Sequence, residues 1–302
     1  KILFKTFIYF FKSDRIYLTI SESFAGNLKD LLIYIICFSK LNKFYIHLHG
    51  GSLQTLLFNK NKVIYNLNKF FISRVGGVIV LGPSHVSTFS SFVPAEKIFI
   101  VPNFSEDYIF ISEAEFSVKH KNTSKINLLF LSNMQVMKGF QVILDAFLQL
   151  DSDFRNLFNL DFAGKFESHK DEEKFIDRIK NNNNINYHGI VKGDSKRNLL
   201  KNAHVFILPT SFLEGQPVSI LEAYASGCFV LTTTNGGVID IFVNNINGYE
   251  IEQSIKSIKE NLIKLANNLP LLKQVGRTNR NEAFKKYRTS IYNKRILDII
   301  ES

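Results

Sequence analysis

The sequence alternates short apolar, β-prone runs with segments of helical periodicity, most regularly in its C-terminal two thirds. The predicted strands there are residues 127–131, 159–163, 185–187, 205–208 and 229–232, and the predicted helices are 140–150, 172–180, 195–201 and 218–226. Short connections between unlike elements favour parallel strands that are covered by helices on both faces. We therefore predict an α/β fold, in which ligands bind at the carboxyl ends of the strands.

The first hundred residues repeat this alternation with fewer units. The predicted strands are residues 15–20, 44–48, 78–81 and 97–101, with a helix over 27–40. A polar stretch between residues 104 and 125 is the predicted linker, and the length of 302 residues agrees with two domains. Helical spacing returns over the last segment, 282–300. We predict an N-terminal domain (1–105), a second domain (106–283) and a C-terminal helix (284–302).

Glu214 and Glu222 lie eight positions apart in a unit that reads as strand, loop and helix. Gly215 and Gln216 lie in the loop, and Pro217 opens the helix, where its missing N–H is not needed. Loop amides and a helix N-terminus attract phosphate, whereas two carboxylates repel it unless they contact sugar hydroxyls instead. The unit therefore predicts a ligand with both phosphate and polyol parts.

The same segment resembles the Glu-x7-Glu signature of glycosyltransferase family 4, a group of retaining sugar transferases with two Rossmann-like domains facing a cleft (the GT-B architecture). The resemblance implies that Glu214 touches the donor sugar and that Glu222 holds the ribose hydroxyls of the nucleotide. Two surface carboxylates of another α/β protein are the alternative. The family's Gly-rich loop has no match before Ser21, and the chain begins at Lys1. We therefore expect an N-terminal domain that is short or incomplete, by truncation or as a shortened variant.

Residues 131–139 resemble the family's Gly-Arg-x4-Lys-Gly segment, whose Arg and Lys neutralise the donor diphosphate. Lys138 matches this segment, but Asn133 stands where the Arg is usual. Loss of one fixed donor at such a site costs about 3–4 kcal/mol. We expect either that another cation substitutes or that Asn133 supplies a neutral hydrogen bond; impaired turnover and a merely solvated Lys138 are the alternatives.

His49 ends a predicted strand and resembles the family's strand-end His, which faces the reacting sugar from the acceptor side. An imidazole titrates in a range that suits orientation of an acceptor hydroxyl. Gly236 and Gly237 resemble the downstream signature of the family and permit close backbone approach to a ligand. Asp240 stands where a Glu is common, and Asn103 belongs to a Pro-Asn pair that resembles the family's domain junction.

The net charge of +10 is compatible with nucleic acid, an anionic membrane surface or acidic substrates. We expect no nucleic-acid partner, because the sequence carries no zinc-finger spacing, aromatic RNP-like strand or helix-turn-helix signal. The basic, aromatic run over residues 1–12 has two interpretations, a membrane-facing helix and a core helix with solvated lysines. Cys37 and Cys228 are far apart and indicate small buried groups in a reducing compartment. The other histidines, including His85, are interpreted as structural or surface residues.

The resemblance implies a metal-independent, retaining hexosyltransferase that moves a sugar from a UDP- or GDP-sugar to an acceptor hydroxyl. The departing phosphate oxygen would take the acceptor's proton on the same face of the sugar. Asp-x-Asp spacing occurs only at Asp151 and Asp153, so we expect no metal, and no cofactor besides the nucleotide-sugar co-substrate.

The expected role is cell-surface polysaccharide or lipid-linked glycan synthesis, with a saccharide or lipid-linked acceptor. We expect a cytoplasmic protein that can sit peripherally on an anionic surface, the inner membrane face. A nucleotide-sugar-binding remnant or scaffold without turnover is the main alternative, motivated by Asn133. A sugar-nucleotide epimerase is another.

Overall fold

The computed structural model describes residues 2–121 and 125–301. Within these residues, ten strands form two separate parallel sheets, as the alternation of strands and helices predicts. The strands are β1 (Ile16–Thr19), β2 (Phe44–Leu48), β3 (Gly77–Val80), β4 (Ile98–Ile100), β5 (Ile126–Leu131), β6 (Phe158–Ala163), β7 (Ile185–Tyr187), β8 (Val205–Leu208), β9 (Phe229–Thr232) and β10 (Gly248–Glu250). The helices are α1 (Ile2–Phe10), α2 (Phe24–Ile36), α3 (Lys62–Ile72), α4 (Glu113–Lys119), α5 (Phe140–Leu148), α6 (Ser152–Arg155), α7 (His169–Ile179), α8 (Gly193–Asn202), α9 (Val218–Ala225), α10 (Ile255–Ala266), α11 (Leu269–Lys286) and α12 (Thr289–Glu301). Lys1 and residues 122–124 of the predicted linker lie outside the described residues.

The N-terminal sheet has the order β1-β2-β3-β4, and each neighbouring pair is parallel. Strands β2 and β3 are buried along their whole length, as their largely apolar sequences predict. Helices α2 and α3 cover this sheet, and the side chains of Tyr34 on α2 and Phe71 on α3 contact each other in the core. Asn27 and Asn68 exchange two hydrogen bonds of 3.0 and 2.9 Å between these helices, so their buried amides are satisfied.

The C-terminal sheet has the order β10-β9-β8-β5-β6-β7, and its pairs are also parallel. Five of these strands agree with the sequence prediction, whereas β10 was not predicted because it begins with a glycine, ends with a charged residue and so has no apolar run. Its core is separate from that of the N-terminal sheet and is rich in fully buried Phe side chains: Phe130, Phe158, Phe162, Phe206 and Phe229.

Helix α4 lies inside the stretch that was predicted to be a linker. Ser112 accepts the N–H of Glu115, whose carboxylate accepts the N–H of Ser112, so the helix begins with a complete capping box. Phe116 is fully buried beneath it. A seven-residue helix with one buried side chain has no apolar repeat, which is why the sequence pattern missed it.

The last predicted helix is two helices, because α11 ends before Tyr287 and α12 begins after Arg288. Phe284 therefore belongs to α11, not to the final helix. The ring of Tyr292 on α12 stacks on His47 of β2, with their centroids 6.4 Å apart. Helix α12 thus contacts the N-terminal sheet.

The chain passes between the two sheets at two points that are tied together. The N–H of Ser105 donates to the carbonyl of Tyr287 at 2.8 Å, and Ser105 forms an isolated bridge with Arg288. The Arg288 guanidinium also donates to Asp107 at 3.1 Å. The two connections therefore lie side by side.

Helix α1 covers part of the basic, aromatic N-terminal run. Leu3 and Phe10 pack against the core of the N-terminal sheet, whereas Ile8 and Tyr9 are exposed. The ammonium of Lys40 donates to the carbonyl of Phe10 at 2.8 Å and so anchors the end of the helix. Among the described residues, no helix combines the length and the apolar character that crossing a membrane requires.

Candidate functional site

The strand order of the C-terminal sheet reverses direction between β5 and β8. From β5 the chain continues to β6 on one side, whereas β8 pairs with β5 on the other. At such a point the connections leave in opposite directions and open a crevice at the carboxyl ends of the strands. Lys138 follows β5 and Glu214 follows β8, so the topology brings these two predicted site residues to the same crevice.

Lys138 and Glu214 form an ion pair in which the ammonium donates to Oε1 of the carboxylate. The hydroxyl of Thr210 donates to the same oxygen at 3.0 Å. Only 13% of the Lys138 side chain and 10% of the Glu214 side chain are exposed, and the ammonium lies 4.9 Å from the centre of the Phe212 ring. A charge pair this desolvated depends on both partners, because either charge alone would be buried without compensation.

A cavity of about 470 Å³ opens at the carboxyl ends of β5 and β6, and neither Lys138 nor Glu214 is among the residues that line it. Asn133 and Glu222, both predicted site residues, line it. Lys165 and Lys196 line it as well, so it combines one carboxylate with two cations. The cavity can accommodate a ligand that carries both hydroxyl and phosphate groups.

Glu222 lies on α9 and is paired with Lys196 of α8, whose ammonium donates to Oε1. The Glu222 side chain is 4% exposed, and burial raises its pKa against the opposing effect of Lys196. Its carboxylate remains able to accept hydrogen bonds from ligand hydroxyls. The sequence prediction missed Lys196, although its place at the start of a helix that follows a strand end is the same signal that selected Lys138.

Asn133 is exposed on the rim of the cavity. Lys165 follows the end of β6 and forms no ion pair with any residue in the described part of the chain. Together with Lys196, it supplies positive charge to the cavity in which Asn133 stands in place of the usual Arg.

Gly215 and Gln216 face the N-terminal sheet rather than the cavity. The Gln216 amide donates to the carbonyl of Leu81 at 2.7 Å, and its Oε1 accepts the N–H of Asn103 at 3.1 Å. A Cβ at Gly215 would lie 1.9 Å from the His49 carbonyl oxygen, so only glycine permits this approach. These two residues join the two sheets.

Pro217 is the residue before α9 and not its first helical residue. Its φ of −61° and ψ of 113° are extended, and the helix begins at Val218. The loop after β8 is therefore one residue longer than predicted.

Gly236 and Gly237 pack against the loop that carries Glu214. The N–H of Gly237 donates to the Glu214 carbonyl at 2.8 Å, and a Cβ there would lie 1.5 Å from the Gly215 carbonyl oxygen. Gly236 has a φ of +59°, which favours glycine. The double glycine thus shapes the Glu214 loop.

His49 is half-buried at the end of β2, where its carbonyl touches Gly215 across the junction of the sheets. Burial lowers its pKa, although a hydrogen bond with Asn103 opposes the shift. Its ring centroid lies 4.0 Å from that of His47, whose Nδ1 is 2.6 Å from the hydroxyl of Tyr17. Burial lowers the pKa of His47 to about 3, so both rings are neutral at pH 7.

His85, which the sequence analysis interprets as a structural or surface residue, also lies at this junction and is buried there. Its Nδ1 is 3.6 Å from Oδ2 of Asp240, which also accepts the hydroxyl of Ser84 at 2.5 Å. His85 follows the end of β3, so the strand-end rule that selected His49 would have found it.

Glu22 is a second junction residue that was not predicted. Its Oε1 accepts the N–H of Ser52 at 2.5 Å, and burial raises the pKa of its carboxyl. Its contact with the segment after His49 helps to hold that loop.

Metal ligands and thiols can be considered for the described residues alone. Within residues 2–121 and 125–301, no group of three or more His, Cys, Asp or Glu side chains is arranged to hold a metal ion. Asp151 lies just before α6 and Asp153 lies within it. Cys37 and Cys228 are both fully buried, as predicted.

The comparisons with known proteins agree with this geometry. The sequence is 26% identical over 282 residues to the uncharacterized glycosyltransferase MJ1069 of Methanocaldococcus jannaschii, covering 88% of this chain and 69% of that protein. The structure resembles the crystal structure of Anabaena HepE in complex with UDP and glucose (TM-score 0.78, 15% identity, covering 100% of this chain and 81% of the other). It also resembles sucrose-phosphate synthase from Thermosynechococcus elongatus (TM-score 0.76, 12% identity, covering 99% and 75%).

These structural likenesses show the GT-B fold, with its two α/β units of parallel strands. A sequence profile of the family "Glycosyl transferases group 1" matches residues 111–282, which include the Lys138–Glu214 and Lys196–Glu222 pairs. The chain therefore belongs to the glycosyl transferases group 1 family.

Proposed function

We propose that this chain is a retaining, metal-independent hexosyltransferase that moves a sugar from a UDP- or GDP-sugar to an acceptor hydroxyl. The carrying observation is two buried carboxylate–lysine pairs that follow strands of the C-terminal sheet: Glu214 with Lys138, and Glu222 with Lys196 in the cavity at the ends of β5 and β6. Two carboxylates suit the sugar and ribose hydroxyls, and the cations suit the diphosphate between them. HepE, which shares the fold, was crystallised with UDP and glucose.

The donor would bind with its ribose on Glu222 and its sugar near Glu214. Lys138 would transfer part of its interaction from Glu214 to the diphosphate, where negative charge grows as the bond to the sugar breaks. The sugar's anomeric carbon loses the phosphate oxygen and gains the acceptor oxygen on the same face. The acceptor's proton passes to the departing phosphate oxygen.

Lys165 and Lys196 support the proposal that other cations replace the usual Arg at Asn133, because both line the cavity of Asn133. His49, at the junction of the sheets, would orient the acceptor hydroxyl or bind the donor sugar. Its lowered pKa keeps the ring neutral, so one nitrogen can accept a hydrogen bond at pH 7.

The decisive experiment is a product assay with a panel of UDP-, GDP- and ADP-sugars, preceded by thermal-shift screening, since a bound ligand raises the melting temperature. We expect a UDP- or GDP-sugar to stabilise the protein and Glu214→Ala to abolish transfer. The control is Glu173→Ala, whose carboxylate is 66% exposed on α7. A fully active Glu214→Ala variant would refute the assignment.

The second candidate is a nucleotide-sugar-binding protein without turnover, which the exposed Asn133 favours. Calorimetric binding of a nucleotide-sugar without transfer or donor hydrolysis over hours would support this candidate. Conversion of the donor alone to an epimer would instead identify an epimerase.

The proposed role is in cell-surface polysaccharide or lipid-linked glycan synthesis, with a saccharide or lipid-linked acceptor. Charge supports an anionic membrane as partner: residues 1–105 contain 12 Lys and Arg against four Asp and Glu, and so carry +8 of the chain's +10. We propose a cytoplasmic location with peripheral association to the inner membrane face.

A further inference from the structure

The outward face of α2 is apolar. Phe24, Leu28, Leu32 and Ile35 are 53%, 41%, 47% and 58% exposed, and their spacing puts them on one side of the helix. The opposite side of α2 packs into the core of the N-terminal sheet. A surface helix normally carries charged or polar residues on its outer face, so α2 lacks the pattern of a helix that faces water.

Helix α3 extends this surface. Val63, Leu67 and Phe70 are 67%, 42% and 46% exposed at positions i, i+4 and i+7. Phe38, which follows α2 and is 50% exposed, stacks on Phe70 with their centroids 6.2 Å apart. We call the four exposed α2 side chains, together with these four, the α2–α3 face.

Eight side chains that are each about half exposed present on the order of 600 Å² of apolar surface, at or above the largest patch of a typical monomer. Exposed apolar surface of this size marks a contact with a partner or a membrane.

The charges around the α2–α3 face identify the partner's chemistry. Between Ser23 and Ala95, the sequence has seven Lys and Arg and a single carboxylate, Asp30. Asp30 is fully buried and pairs with Lys29 at 3.1 Å, so it offers no negative charge to a partner. The exposed cations of the stretch are Lys43, Lys60, Lys62, Lys69 and Arg74. An apolar face among cations is complementary to a surface of anionic headgroups over acyl chains.

The α2–α3 face begins near the junction of the two sheets. Phe24 lies two residues after Glu22, whose carboxylate binds Ser52 in the loop after His49. Both helices follow the carboxyl ends of strands of the N-terminal sheet, so their first turns lie on the same side as the junction. A membrane against this face would lie next to the acceptor side of the cleft.

We propose that the α2–α3 face docks the protein on a bilayer that contains anionic phospholipid. The apolar side chains enter the boundary between headgroups and acyl chains, and the exposed Lys and Arg side chains contact lipid phosphates. A second consequence, that the acceptor is drawn from this bilayer, rests on the proposed function.

The test is co-sedimentation of the full chain with vesicles of phosphatidylcholine alone or of phosphatidylcholine with phosphatidylglycerol. We expect binding to the anionic vesicles, which weakens at about 1 M salt because the headgroup attraction is screened. Leu32→Glu should lower the partition constant about tenfold, because half a leucine's surface stays in water and a charge must enter the interface. The matched control is Ile176→Glu on α7, since Ile176 is 46% exposed and lies away from the face.

Folding of Leu32→Glu is checked by circular dichroism and by unchanged nucleotide-sugar binding. Equal vesicle binding by Leu32→Glu and wild type would overturn the proposal. So would a wild-type dimer, in sedimentation without lipid, that Leu32→Glu dissociates, because a second copy would then cover the face. A wild type that binds vesicles but no nucleotide-sugar would refute the proposed function and leave the docking surface standing.

Discussion

The buried ion pair between Lys138 and Glu214 gives a sharp energetic prediction. Lys138→Met leaves the Glu214 carboxylate buried without a charged partner. Its remaining hydrogen bond is the one from the Thr210 hydroxyl, at 3.0 Å. Glu214→Gln leaves the Lys138 ammonium buried without a charged partner. Breaking one side of a buried pair costs 3–5 kcal/mol, and we expect about 3 kcal/mol for each variant, since about a tenth of each side chain is still exposed.

The double variant Lys138→Met/Glu214→Gln loses the bond but strands no charge. We expect it to cost less than either single variant, so that the two single effects fail to add by at least about 3 kcal/mol. The free energies of unfolding are measured by urea denaturation at pH 7.5, with far-UV circular dichroism as the probe.

An exposed ion pair at the end of α7 provides the control double-mutant cycle. Asp177 on α7 and Lys180, which follows the helix, form an ion pair with side chains 71% and 59% exposed. Lys180→Met and Asp177→Asn should couple by no more than about 0.5 kcal/mol, because water screens an exposed pair. If the Lys138–Glu214 cycle couples no more strongly than this control, the two side chains are not the desolvated pair on which the donor site depends.

Three further predictions concern other parts of the site and the core. Gly237→Ala should destabilise the protein by about 3 kcal/mol, measured by urea denaturation, because its Cβ would lie 1.5 Å from the Gly215 carbonyl oxygen; an unchanged stability would contradict this packing. Lys196→Met should lower the free energy of unfolding by about 3 kcal/mol at pH 8, because it leaves the buried Glu222 carboxylate without a charged partner. Burial already raises the pKa of Glu222, so this penalty should shrink on acidification as the carboxyl protonates, and a pH-independent penalty would be inconsistent with this. Burial lowers the pKa of His204 to about 4, so the neutral imidazole stabilises the fold fully above pH 6.5 and progressively less as the pH falls towards 4. The loss of unfolding free energy in His204→Asn should therefore be about 2 kcal/mol smaller at pH 5.0 than at pH 7.5, and equal losses at the two pH values would refute this prediction.

The sequence predicted the parallel sheets because strand periodicity is a local signal, and the family resemblance assigned Lys138 and Glu214 to one donor site. It could not predict the partner of each side chain. Gln216 bonds to Leu81, a contact between residues 135 positions apart, and no pattern near Gln216 encodes that direction. The pairing of Glu222 with Lys196 likewise depends on how two helices pack, so the position of Lys196 at a helix start could mark it as a candidate but not as the partner of Glu222.

Short elements escaped the sequence reasoning for a different reason. Helix α4 is fixed by its capping box at Ser112 and Glu115 and by one buried side chain, Phe116. Strand β10 is held by its pairing with β9. In both cases tertiary contacts stabilise a segment that has no apolar repeat of its own.

The paired connections at Ser105 and Tyr287 determine how the two sheets can move. Because a 2.8 Å hydrogen bond ties the connections, both must bend at the same level. Two parallel chain segments that are bonded to each other can bend together about an axis perpendicular to both, but they resist twisting about their own direction. The Arg288–Asp107 bond adds to that torsional stiffness. We therefore expect the two sheets to move relative to each other by bending at these connections, with little relative twist.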